Sequence, residues 1–201
     1  MWKFVPVMFA AMLAIASPPG QATPVIFEAT LLGSSEVPAN ASPGTGFATV
    51  ILDTGAHTMD VDVIFSGLLG STTASHIHCC GSPSVNLPVA TQLPTFLGFP
   101  SGVTSGSYSH LFDMTLATSY SPSFFSGHGG TAASAELALL TEMTAGNTYL
   151  NIHTQMFPGG EIRGTLIQQT VPEPSTLALL GLSVAALGVA SRRRMGAELT
   201  A

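Results

Sequence analysis

Between Thr23 and Gln169 the sequence holds a single basic side chain, Arg163, and no lysine. Phosphate backbones require several Lys or Arg partners, so this stretch does not read as a nucleic-acid binder. Nine carboxylates accompany the one guanidinium, a net charge of −8 with His neutral. Cations or neutral polymers fit such a surface better than anions do. Cysteine is nearly absent too. Cys79 and Cys80 are the only two, and they are adjacent, so no disulfide framework can tie distant segments. Neighbouring Cα atoms sit about 3.8 Å apart across a trans peptide, a poor separation for a bridge. A vicinal disulfide, free thiols and soft-metal ligation stay open, with the vicinal disulfide ranked above metal ligation. Charged residues make up 8% of the chain, where about a quarter is usual in a soluble domain. Part of that shortfall belongs to the two ends, which read as addresses and not as fold.

The N-terminus has a positive start at Lys3 and an apolar run from Phe4 to Ala16, broken only by Pro6. Gly20-Gln21-Ala22 follows as a small-x-small cleavage site. This three-part pattern predicts a signal peptide over residues 1–22, cut after Ala22, with a cut after Ala16 as the alternative. At the other end Pro172, Glu173 and Pro174 isolate an uncharged stretch, Leu177 to Ala190, from what precedes it. Arg192, Arg193 and Arg194 close it. A membrane helix needs about 20 apolar residues, so this is a short span that suits a temporary anchor, with the arginines on the cytoplasmic side.

The middle of the chain, 24–169, alternates with period two in several stretches separated by turn residues. In Met59-Asp60-Val61-Asp62-Val63-Ile64-Phe65 the odd positions are apolar and two of the even ones are aspartate. Val25 to Leu32, Phe47 to Leu52, Tyr108 to Thr115, Thr148 to Thr154 and Glu161 to Gln168 read as further strands. Ala132 to Met143 fits a short helix or an irregular strand equally well. Leu87 to Ser107 and Ser119 to Gly130 read as loops. The fold class that follows is all-β, an antiparallel Greek-key sandwich or barrel, flanked by the signal peptide and a C-terminal hydrophobic helix.

The most chemically loaded stretch is Ser75-His76-Ile77-His78-Cys79-Cys80. On a strand, His76 and His78 project to one face and Ile77 to the other. His153 sits opposite Ile152 in the same sense, so the three imidazoles are candidate ligands for Cu or Zn. The plainer reading, which we favour on spacing alone, has them bonding loop carbonyls at the rim of the sheet. In Pro158-Gly159-Gly160-Glu161-Ile162-Arg163-Gly164, Glu161 and Arg163 share a face, and a structural role outweighs a catalytic one. As the sole cation of the domain, Arg163 is expected to be partly buried against an acid, either Glu161 or Glu36.

Taken in order, Leu32-Gly33-Ser34-Ser35-Glu36-Val37-Pro38, Gly67-Leu68, His76-Ile77-His78 and Tyr149-Leu150-Asn151-Ile152-His153-Thr154 through Gly164 resemble the CHRD domain, a module of chordin and of many exported bacterial proteins. Ala39 stands where a second proline is common, and Cys79-Cys80 where a glycine is usual. The Gly-Leu…His-x-His arrangement is also similar to copper/zinc superoxide dismutase, without a full set of four copper histidines. The tail, 171–194, resembles a PEP-CTERM sorting signal. That resemblance implies processing by an exosortase-type membrane peptidase and export to the cell surface or medium, often alongside exopolysaccharide. The combined expectation is a non-catalytic, exported surface or matrix module that binds a protein, polysaccharide or metal. The alternative is a metal-dependent (Cu/Zn) redox protein working through His76, His78 and His153. No nucleophile–base pair or paired carboxylate stands out, and a CHRD resemblance implies a module, not an activity.

Overall fold

A computed structural model describes residues 23–170. Signal peptide 1–22 with its site at Ala22, the handle Pro172, Glu173 and Pro174, and the hydrophobic segment of 171–194 lie outside the described residues.

The domain is a single eight-stranded antiparallel sheet, curled into a half-barrel. Its strands are β1 (Val25–Leu32), β2 (Thr45–Asp53), β3 (Thr58–Ser66), β4 (Thr72–Cys79), β5 (Gly106–Asp113), β6 (Thr148–Thr154), β7 (Ile162–Thr165) and β8 (Ile167–Gln168). Two helices, α1 (Pro122–Gly127) and α2 (Ala132–Thr144), lie between β5 and β6. The order across the sheet is β4-β6-β7-β1-β2-β3-β5, with β8 also pairing β1. Of the two architectures the period-two pattern allows, the chain therefore takes the barrel-like one.

The alternation is honoured residue by residue. Met59, Val61, Val63 and Phe65 of β3 are buried and lie opposite Leu52, Val50, Ala48 and Gly46 of β2. Phe27, Ala29 and Leu31 of β1 continue the same layer. Asp53 caps the β2–β3 turn by accepting from the Gly55 and Ala56 amides at 2.8 and 2.9 Å, the role short acids favour in turns. The other core wall comes from Ala135, Leu139 and Met143 of α2 and from aromatic residues between β4 and α2, Phe96 and Tyr120 among them.

One segment left open by the sequence is decided by the structure, and two others differ from the expectation. Ala132 to Met143 is helical, started by a capping box between Thr131 and Ser134. Its period is blurred in sequence because Leu137 faces solvent while Glu136 is buried against His57, Nδ1 to Oε2 2.7 Å. The segment 119–130 is not all loop. Ser121 caps α1 by accepting from the Phe124 amide, with Pro122 at its first position. Glu161 to Gln168 does not run as one strand: Glu161 precedes β7, and the fully buried Leu166 separates β7 from β8.

The long connection from β4 to β5 joins the two ends of the strand order. It first runs along the open edge of β4, where the amides of Cys79, Ala90 and Phe96 pair with Pro88, Ile77 and Ser75 carbonyls, and the Ile77 and Ser75 amides donate to Thr91 and Thr95 hydroxyls. An exposed strand edge invites pairing with other chains, and this loop covers it. Among the described residues no helix is long and apolar enough to cross a membrane.

Candidate functional site

Antiparallel pairing of β4 with β6 sets His76 opposite Asn151, His78 opposite Tyr149 and Ala74 opposite His153. Residues two apart on one strand share a face, and diagonal cross-strand neighbours are within reach of long side chains. One face of β4, β6 and β7 therefore gathers His76, His78, Tyr149, Asn151, His153 and Arg163. Ile77, Leu150, Ile152 and Ile162 occupy the opposite face, inside the core. The chain buries the polar face as well, beneath the loops that precede β2, follow β4 and precede β7.

The structure brings the three histidines together. Ring centroids are 5.9 Å apart for His76 and His78, 5.3 Å for His76 and His153, and 5.9 Å for His78 and His153. Each ring is fixed by one hydrogen bond to a loop carbonyl: His76 Nε2 to Pro94 O at 2.8 Å, His78 Nδ1 to Leu87 O at 2.6 Å, and His153 Nδ1 to Pro158 O at 2.9 Å. A carbonyl only accepts, so these three nitrogens carry the protons. The remaining nitrogens, His76 Nδ1, His78 Nε2 and His153 Nε2, are buried with no hydrogen-bond partner in good geometry. One nitrogen from each ring lies within 4.8 Å of those of the other two. Desolvation pushes His76 and His78 down to about 4 against the opposing pull of their carbonyl partners, and it lowers His153 as well. All three rings are neutral at neutral pH.

Beside them, Tyr149 stacks on His78 at 4.8 Å with ring planes 8° apart, and the Arg163 guanidinium lies over the Tyr149 ring at 4.5 Å. Arg163, 1% exposed, pairs with Glu36 (Nε to Oε2 3.1 Å) and donates to the Ser35 and Val85 carbonyls and to Asn86 Oδ1. Of the two acids expected to meet it, Glu36 is the partner and Glu161 is not. Burial pushes Glu36 up to about 7, against the opposing charge of Arg163.

Glu161, fully buried, has a separate set of donors: Ser42 Oγ, Thr154 Oγ1 and the Leu69 and Gly70 amides. Burial pulls its pKa upward, and these four hydrogen bonds outweigh it and hold the carboxyl below its usual range. Glu161, just before β7, and Arg163, within it, thus fasten different loops to the same short segment. Cys79 and Cys80 are joined in a vicinal disulfide, with Cys79 in the core and Cys80 packed against it.

The sequence reading missed Tyr149 and Asn151 as members of this face, although their period-two spacing with His153 was the available signal. The carbonyls of Leu87, Pro94 and Pro158 leave no mark in a sequence, because any residue supplies one.

Comparison with protein families matches residues 27–166 to the CHRD domain and residues 170–194 to the PEP-CTERM protein-sorting motif. No curated protein and no solved structure matches the chain. The sorting motif points to export and to a cell-surface or extracellular location, with an exosortase as the consistent processing partner. The chain belongs to the CHRD-domain family and carries a C-terminal PEP-CTERM sorting motif.

Proposed function

We propose that this protein is a non-catalytic surface or matrix module. A signal peptide cut after Ala22 exports it. The segment from Pro172 to Arg194 holds it briefly in the inner membrane, and an exosortase-type peptidase then releases it. The observation that carries this reading is the placement of the sorting motif, 170–194, directly behind a CHRD domain that ends at 166. A weak span behind a Pro-Glu-Pro handle is suited to temporary anchoring. The acidic surface of the domain favours cations or neutral polymers such as exopolysaccharide over nucleic acid.

The polar residues of the buried face support a structural use. Arg163 and Glu36 stitch the loop after β1 to the loop after β4, and Glu161 stitches the chain around Ser42 to that around Gly70. Cys79 and Cys80 are spent in their own bridge. The test is intact-mass analysis of protein recovered from the cell surface and medium, set against a variant with Pro172, Glu173 and Pro174 replaced by alanine. Mature material should lack residues 1–22 and the arginine cluster, and the variant should stay membrane-bound at higher mass. Surface material that retains the whole tail would overturn the exosortase route.

A second reading, a copper- or zinc-dependent redox protein, draws on one observation, the convergence of His76, His78 and His153. Turnover of a redox substrate by copper-loaded protein, above that of free copper ion and abolished in His78→Gln, would replace the non-catalytic reading.

A further inference from the structure

We propose that His76, His78 and His153 form a built site for one borderline divalent transition-metal ion, of the zinc or copper(II) class, bound through His76 Nδ1, His78 Nε2 and His153 Nε2. The proposal concerns the domain alone and stands whether or not the tail is processed as described above.

Three independent features point to it. The first is orphaned lone pairs. His76 Nδ1 and His153 Nε2 are buried without a hydrogen-bond partner, and His78 Nε2 has none in good geometry, although the Asn151 side chain interacts with His78. Leaving one buried acceptor unsatisfied costs about 1–3 kcal/mol, so three at one place is an arrangement a chain does not keep for packing alone. The rings cannot satisfy one another, because each has its single proton committed to a carbonyl.

The second is orientation. Metal-bound imidazoles almost always donate their other ring N–H to a carbonyl, carboxylate or water, which fixes the tautomer and aims the lone pair. Here the Leu87, Pro94 and Pro158 carbonyls perform that task from three separate points on two loops. A set of histidines that merely anchored loops would have no reason to leave one nitrogen of every ring buried and free.

The third is spacing. Ligands at roughly 2.0–2.1 Å from a common ion lie within about 4 Å of one another. One nitrogen from each ring already lies within 4.8 Å of those of the other two, close to the spacing a shared ion needs. Imidazole donors suit Zn and Cu, whereas Ca and Mg take oxygen ligands. A second group of residues at ligand spacing, Cys79, Cys80 and Glu142, is not a competitor, because both sulfurs are tied in the disulfide and offer no thiolate. Three protein ligands leave one position of a tetrahedral ion for water or an outside donor. His76 and His78 are 6% and 8% exposed and the three nitrogens themselves are buried, so that position is sheltered from solvent.

The test uses mature protein stripped with EDTA and titrated with Zn(II) alone, Cu(II) alone and Co(II) alone. Wild type should take up one equivalent with a rise in Tm, and the cobalt form should show the intense visible bands of a four-coordinate centre. His78→Gln and His153→Gln should each weaken uptake at least 100-fold, whereas His128→Gln, away from the cluster, should not. If either glutamine variant fails to fold, 15N spectra of wild-type histidines decide the matter. Before metal the protons should sit on His76 Nε2, His78 Nδ1 and His153 Nδ1, and zinc should shift the opposite nitrogen of each. No uptake by wild type, uptake unchanged in the folded variants, or zinc leaving those three nitrogens unshifted would overturn the site.

Discussion

Burying an ion is costly unless every lone pair and proton finds a partner. Two of the buried carboxylates of this domain, Glu36 and Glu161, show opposite outcomes. Glu36 has a cation beside it, yet one of its oxygens is unpaired and desolvation prevails, so its pKa rises to about 7. Glu161 has no cation among its partners, yet four hydrogen bonds hold it ionised. Hydrogen-bond count, more than the sign of the neighbour, sets the charge state here. Replacing Glu161 by Gln keeps the shape but turns an amide toward donors that need an acceptor, and leaving buried donors unmet costs on the order of 2 kcal/mol. The sign of its pH dependence follows from the depressed pKa. The folded value lies below the ordinary 4.5, so the carboxylate stabilises the fold fully above about pH 4.5, and that contribution fades as pH falls through the folded value. Urea denaturation of wild type and Glu161→Gln should therefore differ most near neutrality and converge in acid. A gap that widens below pH 4.5 would mean the carboxyl is protonated in the native state.

Strands were legible in this sequence where one side is wet and the other packed, as in β3, whose aspartates mark the outer face. Helix α2 was legible only as one of two alternatives, because Leu137 and Glu136 sit on the sides opposite to their chemistry. The site was half legible. Period two placed His76 with His78 and set His153 against Ile152, but the β4–β6 register that brings them together is a property of the whole sheet. The partner of Arg163 was narrowed to two acids, and nothing local could choose between them, since Glu36 is remote in sequence. The tight element before β7 makes room for Glu36. Gly160 has a φ of +130°, and a Cβ there would collide with Glu36 Oε1 and lie 2.8 Å from Asn151 Nδ2. Its neighbour Gly159 has open space around it. Gly160→Ala should destabilise the domain by roughly 2 kcal/mol or more, through backbone strain and displacement of Glu36. Gly159→Ala should stay within about 0.5 kcal/mol of wild type. Equal effects in chemical denaturation would remove the close approach as the reason for a glycine at 160.

At the scale of the molecule, the unusual quantity is the charge balance. The one Lys or Arg of the domain is buried, so the exposed carboxylates have no lysine or arginine on the surface to attract them. The vicinal bridge closes no loop of any length, so it adds little of the entropic stabilisation that disulfides give by tying distant segments. Stability therefore rests on the apolar layer between sheet, α2 and the crossing loop, and it works against self-repulsion of like charges. Such repulsion between exposed charges is screened by salt, with a Debye length of about 30 Å at 0.01 M and about 8 Å at 0.15 M. A protein with mixed surface charge gains some contacts and loses others on screening, and its Tm moves little. This domain loses no attractive surface ion pair to lysine or arginine. Its Tm at pH 8, where Glu36 also tends toward ionisation, should rise by several degrees between about 10 and 150 mM sodium chloride and then flatten. The measurement is thermal denaturation of EDTA-treated mature protein, so that no bound metal contributes. A Tm that falls over this range would show that attractive ion pairs, and not the uniform sign of the surface, dominate its electrostatics.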